Sequence, residues 1–299
     1  MHRSYMEIIR LTGKTIPWFA PLLPDDLTAR LAREETLFLL GAVEEKTACG
    51  VLAFSVGETV EIEYLAVSDE FRRRGAANAM LSFLCAHAAR TLAPVFCTFA
   101  AADKDDPLYL FFAERDDFTV TAFDEVGRMC VTRAQLEESS RLAQIGSRGI
   151  TVTRFFDRPR LAQRAFLNGL LRSGVFHLRD SAVYNGLIQP LCLTAGADND
   201  LQAAVFVGRG QEAQELTLTL AWSAPGCSAA LMALLAALRE LLLREMTPDS
   251  TLVIDAVESS SYAIVSKLFP QAVCTAQYYQ AVWDMDAAEG GMYDAAWVE

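Results

Sequence analysis

Four early segments carry strand-like apolar patterns, YMEIIRL (5–11), which alternates, then TLFLLGAVEE (36–45), ACGVLAFSVGE (48–58) and TVEIEYLAVS (59–68). Such patterns mark strands, and the spacing of the last three suits an antiparallel meander. Between the first two, PWFAPLLPDDLTARLAREE predicts one or two short helices. After Gly75 the period changes. Ala76, Ala79, Met80, Phe83, Leu84 and His87 recur at three and four residues, which places one stripe on a helix. PVFCTFAA then predicts a strand, PLYLFFAER a short helix, and FTVTAF and GRMCVTRA two more strands.

Around AQLEESSRLAQIGSRG (134–149) the pattern lapses into serine, glycine and charge, as a linker would. A second series follows in the same order. GITVTRFF predicts a strand, DRPRLAQRAFLNGLLRSG a helix, and LIQPLCLTA, LQAAVFVGRG and ELTLTLAWSA another meander. A long helix from PGCSAALMALL onward is followed by STLVIDAV, SSSYAIVSKLFP and TAQYYQAVWDM as strand, helix and strand. The repeated order implies duplication of one fold. The expected class is mixed α/β, with domains at 1–140 and 148–285 and an acidic tail at 286–299.

Composition narrows the function. The chain has 299 residues, 52% of them hydrophobic, and a formal net charge of -12. Its most apolar segment, AALMALLAALRELLLREM, carries arginine and glutamate, so a buried helix is expected and no membrane span. Seven cysteines form no CxxC pair, which suits reduced thiols in a cytoplasmic protein. Three histidines make a histidine-built metal site an unexpected feature, and the acidic balance disfavours nucleic acid.

Against that balance, EFRRRGAANAML (70–81) gathers positive charge where a helix begins. The first amides of a helix lack intrahelical partners, and the dipole adds positive potential. Gly75 admits close approach, Ala76 and Ala77 add little bulk, and Arg72, Arg73 and Arg74 can pair with an anion. The turn has the makings of a phosphate cradle.

LAVSDEFRRRGAANAML, preceded by VEIEY, resembles motif A of the GNAT superfamily of N-acetyltransferases. That family's loop reads Gln/Arg-x-x-Gly-x-Gly/Ala, and Arg72, Gly75 and Ala77 occupy its fixed positions. The resemblance covers roughly residues 4 to 135. It implies two central parallel strands that splay apart, with acetyl-CoA entering the gap. The amides of Arg73 to Ala77 would hold the diphosphate. Backbone groups of the Leu65–Ala66–Val67 segment would meet the pantetheine. Glu61 stands where several members carry a general base, and Glu63, two residues on, is expected on the same face roughly 7 Å away. The family's short helix is matched by DPLYLFFAERDDF, with Asp106 and Phe112 at motif positions and Ala113 in place of the usual tyrosine. Tyr109, one turn earlier, is the remaining candidate acid. The second copy keeps Glu215 at the start of its strand, but its helix opens PGCSAA without the arginine and the spaced second glycine, and Val265 stands in the tyrosine's place, so it is read as degenerate.

The expected activity is acetyl transfer to a primary amine of a small, cationic acceptor. An acyl-CoA sensor without turnover is the alternative. A homodimer stays open.

Overall fold

A computed structural model describes residues 6–31, 34–145, 149–172, 178, 181–198, 200–210 and 212–285. The chain divides into two compact units, one built from residues 1–123 and 278–299 and the other from 124–277. The acidic tail expected at 286–299 lies outside the described residues.

The first unit opens with β1 (Met6–Arg10), a 3-10 turn over Ile16–Leu22 and α1 (Asp25–Leu31). Strands β2 (Leu37–Glu44), β3 (Thr47–Val56) and β4 (Val60–Val67) follow as the expected antiparallel meander. Next come α2 (Ala76–Thr91), β5 (Val95–Ala101), α3 (Pro107–Ala113) and β6 (Phe118–Thr132). Alternation along β3 and β4 supplies two cores, one on each face of the sheet. Leu52, Val60 and Ile62 join Met80, Leu81 and Leu84 of α2 on one face. Val51 and Ala53 join Phe19 and Leu27 on the other.

The second unit contains α4 (Arg133–Glu138), α5 (Ser140–Gln144), β7 (Val152–Arg154), α6 (Arg160–Arg172) and α7 (Ser181–Asn185). It continues with β8 (Leu193–Ala197), β9 (Asp200–Arg209), β10 (Glu215–Ser223), α8 (Ser228–Glu245), β11 (Thr251–Ala256), α9 (Ser259–Leu268) and β12 (Val273–Trp283). The order repeats that of the first unit, as a duplication requires.

Two expectations are corrected. The serine-rich stretch over 134–149 is not a loose linker: α4 and α5 occupy most of it, and Leu136 and Leu142 are buried against Leu238 and Leu242 of α8. A capping box supports this start, because the Thr132 hydroxyl accepts from the Gln135 amide while the Gln135 side chain accepts from the Thr132 amide. The segments FTVTAF and GRMCVTRA form one fifteen-residue strand, β6, rather than two. Its residues beyond 123 belong to the second unit, where Gly127–Thr132 pair with β11. Conversely, Tyr278–Trp283 of β12 belong to the first unit and lie between β5 and the start of β6. Residues of β6 are thus divided between the two units at 123, and residues of β12 at 277. Gly127 permits the close approach of β12 to β6, since a Cβ there would meet Cys274 Sγ at 2.7 Å and the Ala276 carbonyl at 3.0 Å.

Candidate functional site

Strands β4 and β5 run parallel, but they pair only over Val60–Val95, Glu61–Phe96 and Ile62–Cys97. Beyond Ile62 they part, while β4 continues to Val67. The backbone of β4 is then available on one side, and the pairing with β3 shows which residues present it. The Ser68 amide donates to the Cys49 carbonyl at 2.9 Å. Antiparallel pairing alternates, so Ser68, Ala66 and Tyr64 direct their backbone groups toward β3. Leu65 and Val67 direct theirs into the gap that β5 has left. Ala66 therefore differs from its neighbours: β3 consumes its backbone groups.

At the end of β4 the chain enters the arginine turn. Arg73 has φ +61° and Gly75 φ +91°, both left-handed. Gly75 caps α2, and the space a Cβ would enter there holds nothing within 4 Å. The first hydrogen bond into the helix runs from the Ala79 amide to the Gly75 carbonyl (2.8 Å). Among the described residues, the amides of Arg73 to Asn78 reach no backbone carbonyl. Arg72 pairs with Asp69 at 2.9 Å on the surface. Arg74 lies over the Phe71 ring at 5.0 Å and faces Glu44 at 3.8 Å. Ala76 turns its methyl into the core, and Ala77 is half-buried. An open, amide-lined turn with exposed cations suits a diphosphate.

A bulge in β4 shapes the other side of the gap. Ala53 pairs with Tyr64 and Phe54 with Ile62, which leaves Glu63 unpaired between them. The pleat reverses there, so Ile62 packs toward α2 and Tyr64 toward the opposite core, where its hydroxyl donates to the Leu22 carbonyl at 3.0 Å. Simple alternation thus fails across this strand. Glu63 turns to Arg30 of α1 at 2.6 Å, and Glu61 remains exposed. Although Glu61 is exposed, partial desolvation of its carboxyl by the surrounding strands raises it above its ordinary value, Glu63 adds to the rise and Arg30 opposes it. Nearby, burial pushes the Cys97 thiol up to about 12, so it stays protonated and offers no nucleophile.

Residues of α3 take structural positions. Asp106 caps the helix by accepting from the Leu108 amide at 2.8 Å. Phe112 is 1% exposed and stacks on Phe99 at 5.3 Å, so its side chain belongs to the core and not to a cofactor surface. Tyr109 packs edge-on against Tyr279 of β12, with centroids 4.9 Å apart. Sequence reasoning missed Arg30. Its spacing from Glu34 was visible, but that pair reads as an ordinary helix-surface contact.

The second unit repeats the backbone geometry. Strands β10 and β11 are parallel over Glu215–Thr251 to Thr217–Val253 and then part. The register of β10 against β9 shifts between Leu218 and Leu220, which sets Thr219 in a bulge. Matching the two bulges sets Thr217 and Thr219 opposite Glu61 and Glu63, so Glu215 is not the counterpart of the first unit's glutamates. Among the described residues, no cluster of histidine, cysteine and carboxylate could hold a metal, and no helix is long and apolar enough to cross a membrane.

Residues 5–117 match the acetyltransferase (GNAT) family model, so this segment is a GNAT domain. The chain as a whole has the tandem GNAT fold. A tandem GNAT protein from the clavulanic acid biosynthesis pathway, solved without AcCoA, aligns with a TM-score of 0.61 and 12% identity over 93% of this chain and 98% of that one. A probable N-acyltransferase from Enterococcus faecalis V583 aligns at 0.57 with 10% identity, over 95% of this chain and 74% of that one. The glucosamine N-acetyltransferase region of a fungal multi-domain GH3 β-N-acetylglucosaminidase gives 0.58 and 13% over 95% of this chain, which spans 38% of that longer protein. Identities this low carry the fold alone. No curated protein matches the chain.

Proposed function

We propose that the first unit binds acetyl-CoA and transfers its acetyl group to a primary amine by direct attack. One observation carries this reading. The gap between β4 and β5 is lined by backbone groups of Leu65 and Val67 that β5 does not pair, with the Val67 carbonyl reached by Arg72 Nε at 3.5 Å, and it ends at the amide-bearing turn over Arg73–Ala77. Acetyl-CoA supplies an activated thioester and a diphosphate handle, and the two ends of the gap suit those two parts.

The residues then divide the work. Amides of the turn, with the largely exposed guanidiniums of Arg72 and Arg74, hold the diphosphate. A backbone N–H from Leu65 or Val67 meets the carbonyl oxygen and stabilises charge developing there more than it stabilises the ground state. Glu61 accepts the proton of the attacking amine, directly or through water, and its raised proton affinity favours that role. Glu61 and Glu63 favour a small cationic acceptor. Tyr109, held against Tyr279, is the nearest phenol from α3 that could protonate the departing thiolate. A thiolate can also leave unaided, because an ordinary thiol titrates at about 8.5.

Ala113, in the place of the family's tyrosine, favours a second reading: an acyl-CoA sensor without turnover. Calorimetry with acetyl-CoA tests the binding step, and a silent titration removes both readings. Thiol release over a panel of amines distinguishes them, since turnover with any amine excludes the sensor.

A further inference from the structure

The two carboxylates beside the gap are not equivalent. The bulge turns Glu63 toward α1, where Arg30 Nη1 meets its Oε2 at 2.6 Å. The rest of the Arg30 fork is engaged by Glu34, which accepts from Nε at 3.1 Å and from Nη2 at 2.9 Å. The Glu63 side chain is 18% exposed, so loss of its partner would strand a carboxylate largely out of water. Glu61 precedes the bulge and makes no ion pair among the described residues.

We infer that Arg30 is the positioning residue of this site: it clamps Glu63 in an ion pair and leaves Glu61 as the one free carboxylate able to take the acceptor's proton. This rests on the acetyltransferase reading for the identity of the acceptor, but the division of labour does not. Without Arg30, two neighbouring carboxylates would share protons as a coupled pair, and neither would be set aside as the base. The clamp also fixes the direction of Glu63, because a guanidinium held on two carboxylates has little freedom to turn. The groups facing Glu61 are few. Glu63 lies on its own strand, Arg30 on α1 with Glu34 behind it, and the Cys97 thiol on β5. Its ladder neighbours, Ser55 on β3 and Phe96 on β5, carry no charge.

The test follows the Glu61 carboxyl by carbon NMR in the full chain labelled at glutamate, with the signal assigned by its loss in Glu61→Gln. In Arg30→Gln the midpoint should move upward by roughly one pH unit, since an attractive charge is gone. In Glu63→Gln it should move downward by a similar amount, and Arg30→Lys should lie closer to the parent than Arg30→Gln. Glu63→Gln also serves as the second arm should Arg30→Gln fail to fold. A midpoint unmoved by Glu63→Gln, or moved upward by it, overturns the inference. These titrations need no acetyl donor. Their failure leaves the acetyl-CoA reading standing, whereas silent calorimetry removes that reading and leaves the clamp intact.

Discussion

The two units share one backbone device and differ in what their side chains add to it. In both, the parallel pair parts after three residue pairs, and a bulged residue stands at Glu63 or Thr219. In both, hydrogen bonding to the neighbouring strand turns alternate backbone groups into the gap: Leu65 and Val67 in the first, Ala221 and Ser223 in the second, where the Ala224 amide donates to the Gln202 carbonyl. Each approach to the long helix contains a left-handed glycine, Gly75 at +91° and Gly226 at +78°. The differences are chemical. Ser68–Gly75 separate β4 from α2 and carry three arginines, whereas Ala224–Cys227 separate β10 from α8 and carry none. Where the first unit has Glu61 and Glu63, the second has threonines, and the Thr219 hydroxyl donates to the Thr217 carbonyl. Topology preserves the gap after duplication because the cores on both faces depend on it. The arginines and the carboxylates stand in one copy alone, and the proposed function is assigned to that copy for this reason.

Four measurements press on that contrast. The largest effect is expected from Glu61→Gln, which should lower amine acetylation by about 10²–10⁴-fold while acetyl-CoA affinity holds. Thr217→Val at the matching place should leave turnover alone, and a loss there would make the second unit a participant. Next, Leu136→Ala should cost roughly 2–5 kcal/mol in a denaturant melt, since its fully buried side chain fills the seam beside α8. A loose linker would tolerate the change. Arg72→Ala combined with Arg74→Ala should weaken acetyl-CoA binding by about 10–100-fold with folding intact, because two exposed charge-assisted contacts together contribute roughly 1.5–3 kcal/mol. Unaltered affinity would remove the phosphate cradle. The smallest effect belongs to the glycines. Alanine at Gly75 or at Gly226 should cost about 1–2 kcal/mol of stability for its left-handed backbone. Calorimetry should then show weaker acetyl-CoA binding for Gly75→Ala and the parent affinity for Gly226→Ala.

Much of this was legible beforehand. Strand-like apolar runs located β2 to β4, period-3.6 runs located α2 and α8, and the arginine turn stood out because the rest of the chain is acidic. Other features were hidden for identifiable reasons. The run from Phe118 to Thr132 contains a glycine, and a break was inferred there. Only the nearness of Cys274 and Ala276 shows why that glycine continues the strand. Residues 134–149 look polar because α4 and α5 bury just Leu136 and Leu142 between stretches of exposed charge. Phe112 satisfied a family motif, yet a motif match does not say which way a side chain faces, and this one faces the core. The same holds for Glu215, whose place in the second copy could be judged only once the bulges were aligned.

By itself the sequence determined the kinds and order of the elements, the doubling of that order, and the run of three arginines before one helix. These are local matters, set by side-chain periodicity and by residue types within a few positions of one another. Tertiary structure decided where β6 and β12 divide between the units, where β4 reverses its pleat, and that Arg30 reaches Glu63 across thirty-odd residues of chain. Pairing register and ion-pair choice depend on groups brought together only by folding, and no window along the chain contains both partners.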